Sequence, residues 1–197
     1  MSLYPVLQSR RLGQRPLKVI WQGTPTVLFR DETDSVCAFH DTCPHLNTSL
    51  SEGWVKDGRL VCPWHHWEFA ADGSCQHPVS MGEYKCDKFP VQEAHGWIWL
   101  GPSDSLLSQD GFALSKAHLV LGKNLKDWPQ TGITECSTSH AQIEMKGLRC
   151  DIQLFTNKGI TETHYRVGVW HPLEWSADPE RPKIADIMES ALTHLNG

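Results

Sequence analysis

Two short turns, each carrying a cysteine and a histidine beside a proline, constrain this chain more than any other feature. The segment DTCPHLNTSL (41–50) contains Cys43 and His45, and the segment LVCPWHHWEF (60–69) contains Cys62 and His65. Sixteen residues separate His45 from Cys62. Thiolate and imidazole groups are both ligands of transition metals, so the pattern predicts a fold that brings the two turns together around metal.

The four ligands leave more than one kind of site open. A tetrahedral zinc site needs four such donors, but zinc sites usually group two cysteines on one turn. Here each turn supplies one thiolate and one imidazole, so the pair of turns can hold two chemically different ions. A two-iron cluster fits that division, with both thiolates on one iron and both imidazoles on the other. The alternative without metal is a set of buried cysteines and hydrogen-bonded histidines.

Composition limits the setting in which the chain acts. Its 197 residues are 40% hydrophobic, which is enough for a real core, and its net charge of -5 without a long Lys or Arg run disfavours nucleic acid as a partner. No long apolar run or signal segment is evident, so we expect a cytoplasmic protein without a membrane partner. An odd number of cysteines also suits a reducing compartment. The seven cysteines are 37, 43, 62, 75, 86, 136 and 150.

The first part of the chain, residues 1–102, is predicted to be a β-rich domain. β-Branched and aromatic runs are interrupted at Gln22-Gly23 and at 31–34, which indicates two antiparallel hairpins. An Asp57-Gly58 turn predicts a further hairpin that delivers Cys62 from a strand. The segment GWIWLGP, which ends at residue 102, is typical of a closing strand.

Residues 103–197 are predicted to form a smaller α+β region. The stretch 103–130 is expected to be a connector with one short helix. Alternation in 140–173 favours several strands, with a hairpin turn at 157–159. Apolar residues in 184–195 follow the spacing of an amphipathic helix. The fold class expected for the chain is therefore mainly β to α+β, with an antiparallel β domain first.

The two turns resemble the signature of Rieske [2Fe–2S] domains, and the segment 29–75 is similar to the Rieske domain of ring-hydroxylating oxygenases over its whole length. The border segments YPVLQSRRL and FPVQEAHGWIWLGP extend the resemblance to about residues 3–102. The resemblance implies a [2Fe–2S] cluster in which Cys43 and Cys62 bind one iron, whereas His45 and His65 bind the other.

Neighbouring residues indicate the oxygenase type rather than the respiratory type of this family. Respiratory Rieske turns add one cysteine each and join them by a disulfide, but Thr48 and Trp64 stand at those positions. Ser and Tyr hydroxyls that donate to sulfur in the respiratory proteins are replaced by Trp67 and Phe69. Because fewer donors compensate the charge of a reduced cluster, we expect a low reduction potential.

Some neighbours of the ligands have open interpretations. His66 stands where the family usually has glycine, and it is either a turn residue that tolerates positive φ or a polar group that tunes the cluster. The nearby tryptophans are expected to pack in the core around the turns, and two of them, Trp64 and Trp67, are also candidates for shielding the cluster from water. The tryptophans concerned are 54, 64, 67, 97 and 99.

The second half lacks the ligand string that the resemblance would supply. Ring-hydroxylating oxygenases hold a mononuclear iron with Asp-x2-His-x4-His and a later acidic residue, and no such string occurs in 103–197. In the nearest segment, His140 has Ser137 and Met145 where the aspartate and the second histidine would stand. An alternative set is Glu162 and His164 with His171. We therefore expect no mononuclear Fe(II) site.

Three function classes follow. The first is a single-electron carrier whose only metal centre is the cluster, the second is a shortened oxygenase that hydroxylates an organic substrate, and the third is a redox sensor or partner-binding subunit. In each class His45 and His65 are expected to form the exit for electrons toward a docked protein. That protein would be a reductase, a ferredoxin or an oxygenase component. The sequence does not determine the substrate or the oligomeric state.

Overall fold

A computed structural model describes residues 4–76 and 83–102 in full, and the backbone of five further strands between residues 112 and 172. The chain divides into two units by its internal contacts, and the two fully described ranges lie in the first. In this part of the chain, regular structure other than strands consists of two short 3-10 turns, Ser9–Arg11 and Leu50–Glu52. No described helix is long and apolar enough to span a membrane.

The first sheet of the first unit is an antiparallel meander of three strands. It comprises β2 (Leu17–Trp21), β3 (Thr24–Arg30) and β4 (Val36–His40), and confirms the two predicted hairpins. Gln22 and Gly23 both have positive φ, 51° and 77°, as a two-residue hairpin turn of type I′ requires. β1 (Tyr4–Gln8) precedes this sheet in the chain and pairs elsewhere.

The second sheet of this unit carries the second turn. It has four short antiparallel strands, β5 (Trp54–Lys56), β6 (Arg59–Val61), β7 (Glu68–Phe69) and β8 (Cys75–Gln76). The predicted Asp57-Gly58 turn is present, with φ of 48° and 71°. A Cβ at Gly58 would collide with the backbone nitrogen of Glu32, so glycine lets this hairpin pack closely. Cys62 directly follows β6, as predicted.

The third sheet joins the beginning and the end of the first unit. β10 (Trp97–Leu100) lies between β1 and β9 (Val91–Ala94), and all four of its side chains are buried. β10 confirms the predicted closing strand. An ion pair links the sheets, since the Arg30 guanidinium on β3 donates to both carboxylate oxygens of Glu93 on β9 at 2.9 and 3.0 Å.

The core around the two turns is made of aromatic and aliphatic side chains from the first two sheets, the second turn and the 3-10 turn Leu50–Glu52, together with cysteines. Its buried members are Val27, Phe29, Cys37, Phe39, Cys43, Leu50, Leu60, Cys62, Trp67, Phe69 and Cys86. The expectation that the five tryptophans pack in the core is wrong for Trp54 and Trp64, whereas Trp67, Trp97 and Trp99 are buried. Trp54 and Trp64 are 40% and 66% exposed, and the buried Trp97 and Trp99 belong to β10 rather than to this cluster.

The second unit contains a five-stranded sheet in the order β11-β15-β14-β13-β12, in which the pairs β11–β15, β12–β13 and β13–β14 are antiparallel. The strands are β11 (Phe112–Leu121), β12 (Ile133–Cys136), β13 (His140–Met145), β14 (Leu148–Lys158) and β15 (Thr163–Pro172). The several strands predicted over 140–173 are therefore present. The helix expected at 184–195 lies outside the described residues.

Two expectations for this unit are wrong. Residues 112–121, within the stretch expected to be a connector, form a ten-residue strand. The rest of 103–130 lies outside the described residues, so the short helix expected there stays a prediction. A register shift between Leu114 and Ala117 interrupts the alternation of apolar and polar residues. Because that alternation is the sequence signal of a strand, the sequence does not predict this one. The turn expected at 157–159 is also wrong at its first two positions, because β14 continues through Lys158.

Candidate metal centre

Backbone hydrogen bonds close the first turn into a small ring. The N–H of Cys43 donates to the carbonyl of Thr48 at 2.8 Å, and the N–H of Asn47 donates back to the carbonyl of Cys43 at 2.9 Å. Asn47 has a φ of 58°, in the left-handed region that asparagine tolerates better than most residues. The main chain thus holds the turn, and the side chains of Cys43 and His45 remain available for ligation.

The second turn repeats the same frame. The N–H of Cys62 donates to the carbonyl of Trp67 at 2.9 Å, and the N–H of His66 donates to the carbonyl of Cys62 at 3.2 Å. His66 has a φ of 56° and occupies the same place as Asn47 in the first turn. The structure therefore confirms the interpretation of His66 as a turn residue with positive φ.

A buried carboxylate just before the first turn was not anticipated from the sequence. Asp41 is 3% exposed, and the ammonium group of Lys18 lies 3.2 Å from its Oδ2. A lone aspartate after a strand gives no sequence signal of burial, because its partners come from other elements. Asp41 fixes the point at which the chain leaves β4 and enters the turn.

The two thiols meet inside the protein. Cys43 and Cys62 are 2% and 1% exposed, and the two thiols lie close enough for Cys62 to influence the ionisation of Cys43. Burial raises the pKa of the Cys43 thiol to about 11, and the neighbouring Cys62 thiol adds to the effect. In the absence of metal the Cys43 thiol therefore keeps its proton at neutral pH, so metal binding must release that proton.

The two imidazoles meet closer to the surface. The ring centroids of His45 and His65 are 4.8 Å apart, with an angle of 69° between the planes. His45 is partly buried and His65 is exposed, and neither belongs to the buried core cluster. The turns thus sort their donors, with sulfur inside and nitrogen toward solvent.

Aromatic side chains enclose one of the imidazoles. The indole of Trp67 stacks on His45 with centroids 4.2 Å apart and planes 10° from parallel, and the ring of Tyr84 meets that indole edge-on at 4.8 Å. Trp67 is the one tryptophan whose expected packing beside the turns is confirmed. Tyr84 was missed, since nothing in its local sequence links it to the turns.

The donor set fits a two-iron cluster better than a single ion. Within the described ranges, no three His, Cys, Asp or Glu side chains converge on one point that a metal ion could occupy. A structural zinc site requires four donors around one ion. A thiol pair beside an imidazole pair is instead the set that a Rieske cluster needs, because each iron takes only two protein ligands.

Among the candidate residues of the second half, His164 and His171 are not brought together. His140 begins β13, and Met145 ends it. Positions 164 and 171 lie on β15, seven residues and thus about 23 Å apart, on opposite faces of the strand backbone. The alternative set that joined His164 with His171 is therefore wrong as one site. Ser137 and Glu162 lie outside the described residues.

Sequence comparisons identify relatives of the chain. The family model of the Rieske [2Fe-2S] domain matches residues 2–90. The 4beta-methylsterol monooxygenase of Methylococcus capsulatus is 30% identical over 191 residues, which are 92% of this chain and 50% of that protein. The oxygenase component of dicamba O-demethylase from Stenotrophomonas maltophilia is 34% identical over 113 residues, 55% of this chain and 33% of that protein. The chain thus spans half or less of these curated relatives.

Solved structures share the fold. A crystal structure of dicamba monooxygenase with non-heme iron and dicamba superposes with a TM-score of 0.66 at 19% identity, covering 97% of this chain and 86% of that one. NdmA of Pseudomonas putida CBB5 gives a TM-score of 0.71 at 14% identity, covering 98% and 78%. The family model over residues 2–90 and the similarity to the 4beta-methylsterol monooxygenase identify the chain as a Rieske [2Fe–2S] domain protein homologous to oxygenases of the Rieske type.

Proposed function

We propose that the chain transfers single electrons through a [2Fe–2S] cluster, with Cys43 and Cys62 on one iron and His45 and His65 on the other. The observation that carries this proposal is the sorting of donors, in which a buried pair of thiols lies beside a more exposed pair of imidazoles. A bound cluster supplies reversible one-electron chemistry. The tasks of the protein are to hold the ligands, exclude water from the sulfur side and present the imidazole side.

The surface beside the imidazoles supports exchange with another protein. Leu46 and Trp64, the neighbours of His45 and His65, are 55% and 66% exposed. Exposed apolar side chains of this size favour contact with a partner. We propose a reductase or ferredoxin as the donor and an oxygenase component as the acceptor, with the imidazole edges as the route between them.

A second candidate is an oxygenase that acts on an organic substrate. It is favoured by the fold likeness to dicamba monooxygenase, which covers 97% of the chain and so includes the second unit. Against it stands the missing Asp-x2-His-x4-His string in 103–197. We therefore propose that residues 103–197 form an α+β extension that binds no mononuclear iron, with the boundary of the Rieske domain at residue 102.

The test compares cluster content among matched variants. Protein reconstituted without oxygen should contain two irons and two sulfides and give visible absorption and an electron paramagnetic resonance (EPR) signal after reduction. Cys43→Ser, Cys62→Ser and His65→Ala should lose these signals. The controls are His66→Ala, which changes the neighbouring histidine, and Cys37→Ala, which removes another buried thiol; both should keep a cluster. A colourless protein that takes up zinc despite available iron would contradict the proposal.

A further inference from the structure

We infer that Trp67 is a positioning residue for His45, in that its indole fixes the plane of the imidazole and covers one face of that ring. The inference rests on the proposed function and adds a residue that determines how the cluster behaves. It concerns a contact between the two turns, because Trp67 follows Cys62 whereas His45 belongs to the turn of Cys43.

Trp67 acts on both turns at once. Its carbonyl accepts the hydrogen bond from the N–H of Cys62 at 2.9 Å, which closes the second turn. Its side chain reaches the first turn and stacks on His45, 4.2 Å between centroids and 10° from parallel. The orientation of one ligand is therefore set by a residue whose backbone holds another ligand.

The indole itself is held in place. Trp67 is 6% exposed and belongs to the core that contains both thiols. The ring of Tyr84 meets the indole edge-on at 4.8 Å and lies 6.4 Å from the ring of His45. A buried side chain in such contacts has one orientation, so it restricts rotation of the imidazole stacked upon it.

The two imidazoles are consequently unequal. His65 is exposed, and Trp64, the tryptophan beside it, meets its ring edge-on at 6.3 Å and is itself 66% exposed. His45 is partly buried beneath a fixed indole. Positioning and exclusion of water thus act on the His45 side of the site.

Removal of the indole has two consequences that a general loss of stability would not produce. The imidazole of His45 gains freedom to rotate, so the population of cluster environments broadens and the EPR lines widen. Water also gains access to the site, which stabilises the more negatively charged reduced cluster and raises the midpoint potential.

The experiment uses Trp67→Leu and Trp67→Phe, with Trp21→Leu as the control. Trp21 is also buried, at 2% exposure, and contacts Phe89 at 5.1 Å. Trp67→Leu should broaden the EPR lines and raise the midpoint, Trp67→Phe should restore most of the original values, and Trp21→Leu should change neither. Tyr84→Leu, which keeps Trp67 but removes its edge contact, should give a smaller change in the same direction.

A second readout does not need the cluster. In the metal-free protein the stacked indole should shift the ring protons of His45 upfield in the NMR spectrum, and Trp67→Leu should abolish that shift. An unchanged His45 shift, or an unchanged potential and linewidth in Trp67→Leu, would overturn the inference alone. Failure of the unsubstituted protein to take up a cluster would overturn the proposed function, and this inference with it.

Discussion

Asp41 holds Ser51 through two hydrogen bonds, one from the backbone N–H at 2.7 Å and one from the hydroxyl at 2.8 Å. Asp41 precedes the first ligand turn, and Ser51 lies in the 3-10 turn that follows it. The two bonds therefore clamp the segment that carries Cys43 and His45 at both ends. Because the carboxylate is buried, the clamp is costly to break.

We expect Asp41→Ala to lower the free energy of unfolding by about 2–3 kcal/mol, since it leaves buried donors without an acceptor. Asp41→Asn, which keeps one acceptor oxygen, should cost less, and Ser51→Ala should cost about 1 kcal/mol because only the hydroxyl bond is lost. Urea unfolding of the three variants measures the loss in free energy of unfolding for each and so tests the predicted ranking. Equal stabilities would show that the clamp contributes nothing.

The ion pair between Arg30 and Glu93 predicts a dependence of stability on pH. The hydrogen bond from Arg30 lowers the pKa of Glu93, so this carboxylate contributes stability above its unfolded pKa, and the contribution is lost as pH falls through the folded value. Glu93→Gln should cost about 1 kcal/mol at neutral pH, a modest value because the Glu93 side chain is 34% exposed.

The difference in stability between Glu93→Gln and the unsubstituted protein should narrow as pH falls from the unfolded pKa of a glutamate, about 4.3, through the lower folded pKa, below which Glu93 is protonated in both states. Thermal unfolding at a series of pH values measures it. Glu32→Gln, a change at an exposed carboxylate, provides the control and should have no such effect. A difference that persists unchanged at pH 2–3 would argue that the pair is not an ion pair in solution.

The midpoint potential should lie near the low end of the Rieske range, roughly -150 mV rather than about +300 mV. We expect a low potential because Trp67 and Phe69, which follow Cys62, have no hydroxyl group that could donate a hydrogen bond to sulfur. Phe69 is fully buried in the same core cluster as the two thiols. Protein-film voltammetry gives the value. A strongly positive midpoint would contradict this account.

Iron content should remain two per chain when residues of the second unit are changed. His140→Ala, His164→Ala and His171→Ala are each expected to leave the number unchanged, since the strand positions of His164 and His171 are about 23 Å apart. Metal analysis after reconstitution measures it. A third iron that disappears with one of these changes, together with oxygen uptake that depends on reductant, would favour the oxygenase instead.

Local sequence was sufficient for much of the first unit. The hairpins at Gln22-Gly23 and Asp57-Gly58 were predictable because turns of this type depend on the two residues that form them. Strand β11 was not predictable, because the register shift at Leu114 depends on the partner strand β15 and interrupts the alternation of apolar and polar residues that indicates a strand.

The candidate site also has features that local sequence predicts and features that depend on tertiary contacts. The sequence by itself determined which residues present thiol and imidazole groups, and at what spacing, because ligand chemistry belongs to the side chain. Only the tertiary structure decided that Asp41 clamps Ser51 and that Trp67 stacks on His45 with Tyr84 behind it. These contacts join residues far apart in the chain, and their geometry follows from the packing of separate sheets into one core, which no local pattern encodes.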